Sequence, residues 1–169
     1  MLTRYTLLVM GMILAALGHA QAQQTSGTAT LTALDYAEIQ RLYGAYAHTY
    51  DSCADNGQAF ARLFTPDGVF SLPGGRALAG REQLTEFARC PAGVTRRPTQ
   101  HWIGSIFISP APDGASGTAY VMQVNAAEPK LSTSGNRYED VFVKGPQGWA
   151  FKKHTVVPTP RAAAPTAPQ

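Results

Sequence analysis

No C-x-x-C or H-x-x-x-H spacing occurs in the 169 residues, so the chain carries no preset frame for a structural or catalytic metal. Basic stripes are also missing. Arg96-Arg97 and Lys152-Lys153 are isolated doublets within a formal charge of +3, which argues against nucleic acid as a partner. Charged residues make up only 15% and hydrophobic ones 44%, a balance that excludes a disordered chain. Internal repeats are absent. The one long apolar run, Leu7 to Leu17, is too short to span a bilayer.

What is present at the N-terminus reads as an export signal. Arg4 supplies a positive start, Leu7 to Leu17 the apolar stretch, and Ala20-Gln21-Ala22 an A-x-A cleavage site. Residues 1–22 are therefore expected to be a signal peptide, with no other stable membrane anchor. Loss of Arg4 leaves 13 basic and 11 acidic residues. The exported product is expected to be periplasmic or secreted. Residues 23–31 form a small, polar and flexible lead-in, residues 32–157 a single domain, and residues 158–169 a disordered Pro/Ala-rich tail.

Export places the only two cysteines, Cys53 and Cys90, in an oxidising compartment, where a bridge is favoured over two free thiols. Closing a loop of this length contributes about 3–4 kcal/mol through the unfolded state.

Ile39, Leu42, Tyr43, Tyr46, Ala47 and Tyr50 step by three and one, the signature of one buried face of an α-helix that ends at Asp51. Thr32 with Asp35 is a short form of the capping box at its start. Ala59, Phe60, Leu63 and Phe64 suggest a second short helix, and Thr65-Pro66-Asp67-Gly68 a turn before a strand at Val69 to Leu72. Arg76 to Leu78 is placed to pair back. Gly80 opens a third helix with Leu84, Phe87 and Ala88 as its stripe. Four strands follow, over Thr99–Ser109, Ala115–Asn125, Asn136–Lys144 and Trp149–Val157, with a polar loop at Ala126–Gly135. Short turns make these neighbours antiparallel, so the chain is α+β with its helices on one sheet face.

Several segments resemble the SnoaL-like proteins of the nuclear transport factor 2-like (NTF2-like) superfamily. They are Leu63-Phe64-Thr65-Pro66-Asp67-Gly68-Val69-Phe70, Ala79-Gly80-Arg81-Glu82, Asn136-Arg137-Tyr138-Glu139-Asp140 and Gly148-Trp149-Ala150-Phe151. The resemblance implies a cone-shaped α+β barrel, in which three N-terminal helices pack on a curved, mostly antiparallel sheet enclosing a pocket. Homodimers that pair through the sheet are also implied.

Within that family, Tyr50-Asp51 and Thr99-Gln100-His101-Trp102-Ile103-Gly104 resemble scytalone dehydratases, which implies catalytic roles for Asp51 and His101. The second catalytic histidine of those enzymes lies on the next strand. Here no histidine occurs in Ala115–Glu128, and Asn125 or a neighbour occupies the nearest position. Ser134 and Asn136 resemble a further polar pair.

The residues themselves support related chemistry. A helix C-terminus disfavours a carboxylate, and an adjacent imidazole gives it a partner for proton transfer. Tyr46 and Tyr50, one helical turn apart, can polarise a carbonyl or enol, with Asn125, Asn136 and Tyr138 as polar points on the sheet wall. Strand alternation places His101, Ile103 and Ser105 on the pocket side and Trp102 outside. His48 is expected to be exposed and His154 to sit near a strand end. The expected activity is that of a lyase or isomerase acting on a small apolar carbonyl or hydroxyl compound, with neither metal nor organic cofactor. A non-catalytic small-molecule-binding or accessory domain is the alternative.

Overall fold

The computed structural model describes residues 30–125, 127 and 132–160. The expected signal peptide and most of the Pro/Ala-rich tail lie outside the described residues. Helix α1 spans Ala33–Asp51, a 3-10 turn spans Ala54–Gly57, and α2 is a single turn at Gln58–Ala61. Strands β1 (Phe64–Ser71) and β2 (Ala77–Ala79) follow, then α3 (Gly80–Ala88) and the long strands β3 (Thr99–Ala111), β4 (Gly114–Asn125), β5 (Ser132–Gly145) and β6 (Gly148–Pro158).

The six strands form one sheet in the order β2-β1-β6-β5-β4-β3. All neighbours are antiparallel except β1 with β6. The helices pack on one face, with α1 against β3 and β6 and α3 against β1. The architecture is the expected α+β one, although the sheet stays open and does not close into a barrel.

Helix α1 starts where its chemistry says it should. The Asp35 N–H donates to Thr32 Oγ1 at 3.2 Å, and the Asp35 carboxylate accepts from the Thr32 N–H at 2.9 Å, a complete capping box. The same carboxylate accepts from Lys144 Nζ at 2.7 Å and Trp149 Nε1 at 2.8 Å, tying the helix start to the β5–β6 hairpin. Lys144, then Thr32 and Trp149, hold the Asp35 carboxyl well below the usual range. Ile39, Leu42, Tyr43 and Tyr46 are buried on one face. They meet Phe60, Phe64, Phe70, Phe142 and Phe151, a core in which each large side chain contributes about 1.5–3 kcal/mol relative to exposure.

Three strands depart from simple alternation. The Thr65-Pro66-Asp67-Gly68 segment is not a turn between elements but an irregularity inside β1, which starts at Phe64. Phe64 therefore belongs to the strand, and the second helix is shorter than expected. In β3, Ser105 adopts the left-handed region at φ 49° and marks a bulge between Gly104 and Phe107. Ser105 is consequently exposed and does not join His101 and Ile103 on the inner face, whereas Ile108 beyond the bulge is buried. In β6 the register shifts around Lys152, so that Phe151 and His154 both point inward. β5 begins at Ser132, inside the span expected to be loop.

The Cys53–Cys90 disulfide forms, with Cα atoms 5.7 Å apart, and joins the end of α1 to the end of α3. No helix among the described residues is long and apolar enough to cross a membrane.

Candidate active site at the open end of the sheet

Register sorts the inner face into rows. His101 pairs with Gln123, and Gln123 with Ser134. One row deeper lie Ile103, Val121, Asn136 and Pro158. Deeper still, Asp140 pairs with His154. The first row sits at the open end of the sheet, where α1 terminates.

Asp51, the last residue of α1, reaches this row. Its Oδ2 accepts the His101 backbone N–H at 2.8 Å, and its Oδ1 lies 2.6 Å from His101 Nδ1. Both residues are buried, at 8% and 9% exposure. The two bonds to one carboxylate fix the position of the strand and the plane of the ring. Against a carboxylate, which only accepts, Nδ1 carries a proton; in the neutral ring Nε2 then keeps its lone pair. Gln123 Nε2 lies 2.9 Å from that nitrogen, and Ser134 Oγ donates to Gln123 Oε1 at 3.2 Å. The residue opposite His101 is thus Gln123 and not Asn125, which lies one row further out and pairs with Thr99 and Ser132.

The tyrosines back the imidazole. The Tyr50 ring stands edge-on to His101 at 5.3 Å and Tyr46 at 5.9 Å. The Tyr46 hydroxyl is bonded to Tyr138, and burial raises both phenols above their ordinary value. Tyr46 and Tyr138 are thereby committed to the interior. Tyr50 is half-buried; desolvation raises its phenol, and Arg97 opposes the rise.

Arg97 caps this end of the molecule. Its guanidinium stacks on the Tyr50 ring at 3.9 Å and bonds to the Tyr50 carbonyl. It also donates to the carbonyls of Ala88 (3.0 Å) and Arg89 (3.1 Å), and its backbone N–H donates to the Asp51 carbonyl at 2.8 Å. Asn136 is half-buried and lines a groove of about 530 Å³ at the sheet end, together with Pro73, Ser134, Pro158 and Thr159.

A second histidine–aspartate pair lies deep in the core. His154 Nδ1 is 2.6 Å from Asp140 Oδ1, and the Tyr43 hydroxyl donates to Asp140 Oδ2 at 2.6 Å. His154 is in the middle of β6 and fully buried, not near a strand end. Gly117, across from Asp140, makes the Tyr43 bond possible: a Cβ there would lie 2.7 Å from the Tyr43 hydroxyl oxygen. Sequence reading missed this cluster and Gln123. Alternation along β5, which puts Asp140 on the same face as Tyr138, is the sequence signal that points toward it. His48 is exposed, as expected.

The SnoaL-like domain family model matches residues 31–155, and the chain belongs to that family. No curated protein matches significantly. Among solved structures, a Nostoc punctiforme protein of unknown function with a cystatin-like fold aligns at TM-score 0.66 and 21% identity, over 78% of this chain and 96% of that one. A Novosphingobium aromaticivorans protein provisionally assigned as a scytalone dehydratase aligns at TM-score 0.62 and 21% identity, over 80% and 95%. Another from the same organism, provisionally assigned as an aromatic ring hydroxylase, aligns at 0.63 and 23%, over 78% and 94%. At these identities the likeness speaks to the fold.

Proposed function

We propose that this protein is an exported, cofactor-independent lyase or isomerase that moves a proton on a small, partly apolar hydroxyl or carbonyl compound. The supporting observation is the buried 2.6 Å contact between His101 Nδ1 and Asp51 Oδ1, with the backbone N–H of His101 bound to the same carboxylate. In this reading His101 Nε2 is the base. Asp51 orients the ring and stabilises the imidazolium that forms when Nε2 takes a proton. The imidazolium then returns that proton to the rearranged carbon skeleton or to a leaving hydroxyl. Tyr50 packs against the reacting face, and Asn136 supplies a polar contact in the groove beside Ser134. The signal-like sequence of residues 1–22 and the disulfide support export.

The test is turnover on a panel of enolisable ketones and β-hydroxy ketones with wild type, Asp51→Asn and His101→Ala. Loss of about 10²–10⁴-fold in both variants is expected. Equal turnover in all three removes the proton-transfer assignment. A non-catalytic accessory domain is then the better reading, one that the close aromatic packing around Tyr46 (3% exposed) also favours.

A homodimer through the outer sheet face completes the proposal. Trp102 (59% exposed), Phe107 (68%) and Tyr120 (63%) project there on β3 and β4, beside the Arg137–Glu139 ion pair on β5. An apolar patch with both charge signs at its edge suits a self-complementary contact. Light scattering of wild type and Tyr120→Glu tests it, with halving of the mass expected in the variant.

A further inference from the structure

The geometry points to Gln123 as the residue that selects the ligand: its amide covers His101 Nε2 and yields that place to a ligand that brings its own donor, as a hydroxyl does, and not to one that offers only lone pairs. This inference rests on the reading of His101 as the base, and it narrows the substrate class to hydroxyl compounds.

The argument follows the hydrogen bonds. Both Asp51 oxygens are engaged by His101, so Nδ1 holds the proton and Nε2 of the neutral ring can only accept. Gln123 faces Nε2 at 2.9 Å. Either end of an amide fits such a gap sterically; here the NH2 group faces the imidazole at 2.9 Å while Oε1 faces the Ser134 hydroxyl at 3.2 Å. The row Asp51, His101, Gln123, Ser134 is therefore polarised in one direction. An incoming carbonyl oxygen would set a lone pair against a lone pair at Nε2. An incoming hydroxyl reproduces the bond that Gln123 gives up.

Access fits this exchange. Ser134 lines the groove of about 530 Å³ beside Pro73, Asn136 and Pro158, so the row ends in a space large enough for a one-ring compound. Gln123 is itself half-buried, next to that end and not sealed in the core. Unlike an imidazole, an amide does not take up a proton near neutral pH. Gln123 therefore acts as a positioning and selecting residue, and proton transfer stays with His101.

The experiment compares 4-propylphenol with its methyl ether, 4-propylanisole, which differ only in the donor. Binding to the full chain with its disulfide intact is measured by titration. Side-chain NMR of the Gln123 amide and the His101 ring nitrogens reports the site. Wild type is expected to bind the phenol about five- to tenfold more tightly than the ether, with the phenol alone moving the Gln123 NH2 and His101 Nε2 signals. In Gln123→Leu the phenol no longer competes with the amide, and its affinity rises about fivefold while that of the ether stays within twofold. Gln123→Ala repeats the test should leucine disturb folding.

Equal binding of the two compounds, binding of neither, or phenol binding without movement of the Gln123 and His101 signals overturns the inference. The outcome is separable from that of the proposed function. Donor preference with turnover insensitive to Asp51→Asn leaves the selection standing and removes the catalysis. Turnover that depends on His101 without donor preference does the reverse.

Discussion

Two histidine–aspartate pairs share one face of the same sheet and the same 2.6 Å separation, yet their surroundings differ in kind. Asp51–His101 joins a helix end to a strand end, and the far nitrogen of its ring meets a half-buried amide at the rim. Asp140–His154 joins two neighbouring strands in the middle of the core, and its aspartate takes a third bond from Tyr43. Among the described residues His154 Nε2 has no hydrogen-bond partner, and aromatic rings surround it. The same two side chains therefore sit in two settings, one proposed here to carry chemistry and one that binds the interior together. Access to the second ring nitrogen distinguishes the two roles.

The largest expected effect comes from the interior pair. His154→Ala leaves Asp140 buried with only Tyr43 and opens a cavity, and it should cost about 3–5 kcal/mol in urea unfolding. His101→Ala should cost about 1–2 kcal/mol, because its backbone bond to Asp51 survives. Equal losses would erase the contrast between the pairs. Gly117→Ala comes next: its Cβ displaces the Tyr43 hydroxyl from Asp140, for about 1–3 kcal/mol, again read from denaturant midpoints.

Asp51→Asn should unfold within about 1 kcal/mol of wild type, since the amide oxygen can still accept from His101, while turnover falls steeply. A large stability loss there would make the rim pair structural as well. The smallest effect belongs to Asp35. Its folded carboxyl titrates below the unfolded value, so its stabilising contribution is complete above that value and is lost as pH falls through the acid range. Asp35→Asn should flatten the acid limb of the stability–pH curve below about pH 4 and leave the neutral region nearly parallel to wild type.

Elements governed by local periodicity were legible in the sequence. Helix α1 with its cap, helix α3, and the meander from Thr99 onward follow from side-chain spacing and turn residues. The disulfide followed from the cysteine count and the expected export. Bulges concealed the rest. Counting outward from the β3–β4 turn, where Ala111 pairs with Gly114, places Val124 opposite His101; the bulge at Ser105 moves the partner to Gln123. Simple alternation also separates Phe151 from His154, and two preceding lysines suggest a strand end. The register shift at Lys152 brings both inward instead. Each missed residue thus depended on a one-residue slip that periodicity does not encode.

The position of Arg97 has a consequence for how this protein tolerates change. One planar cation closes the carbonyl ends of two helices while lying flat on Tyr50. Lysine, with a single ammonium, cannot span those oxygens and stack at once. Trimming this side chain should therefore loosen the α1 terminus that carries Asp51 while leaving the phenylalanine-rich interior intact, so that mutational damage to activity and to folding can be inherited separately.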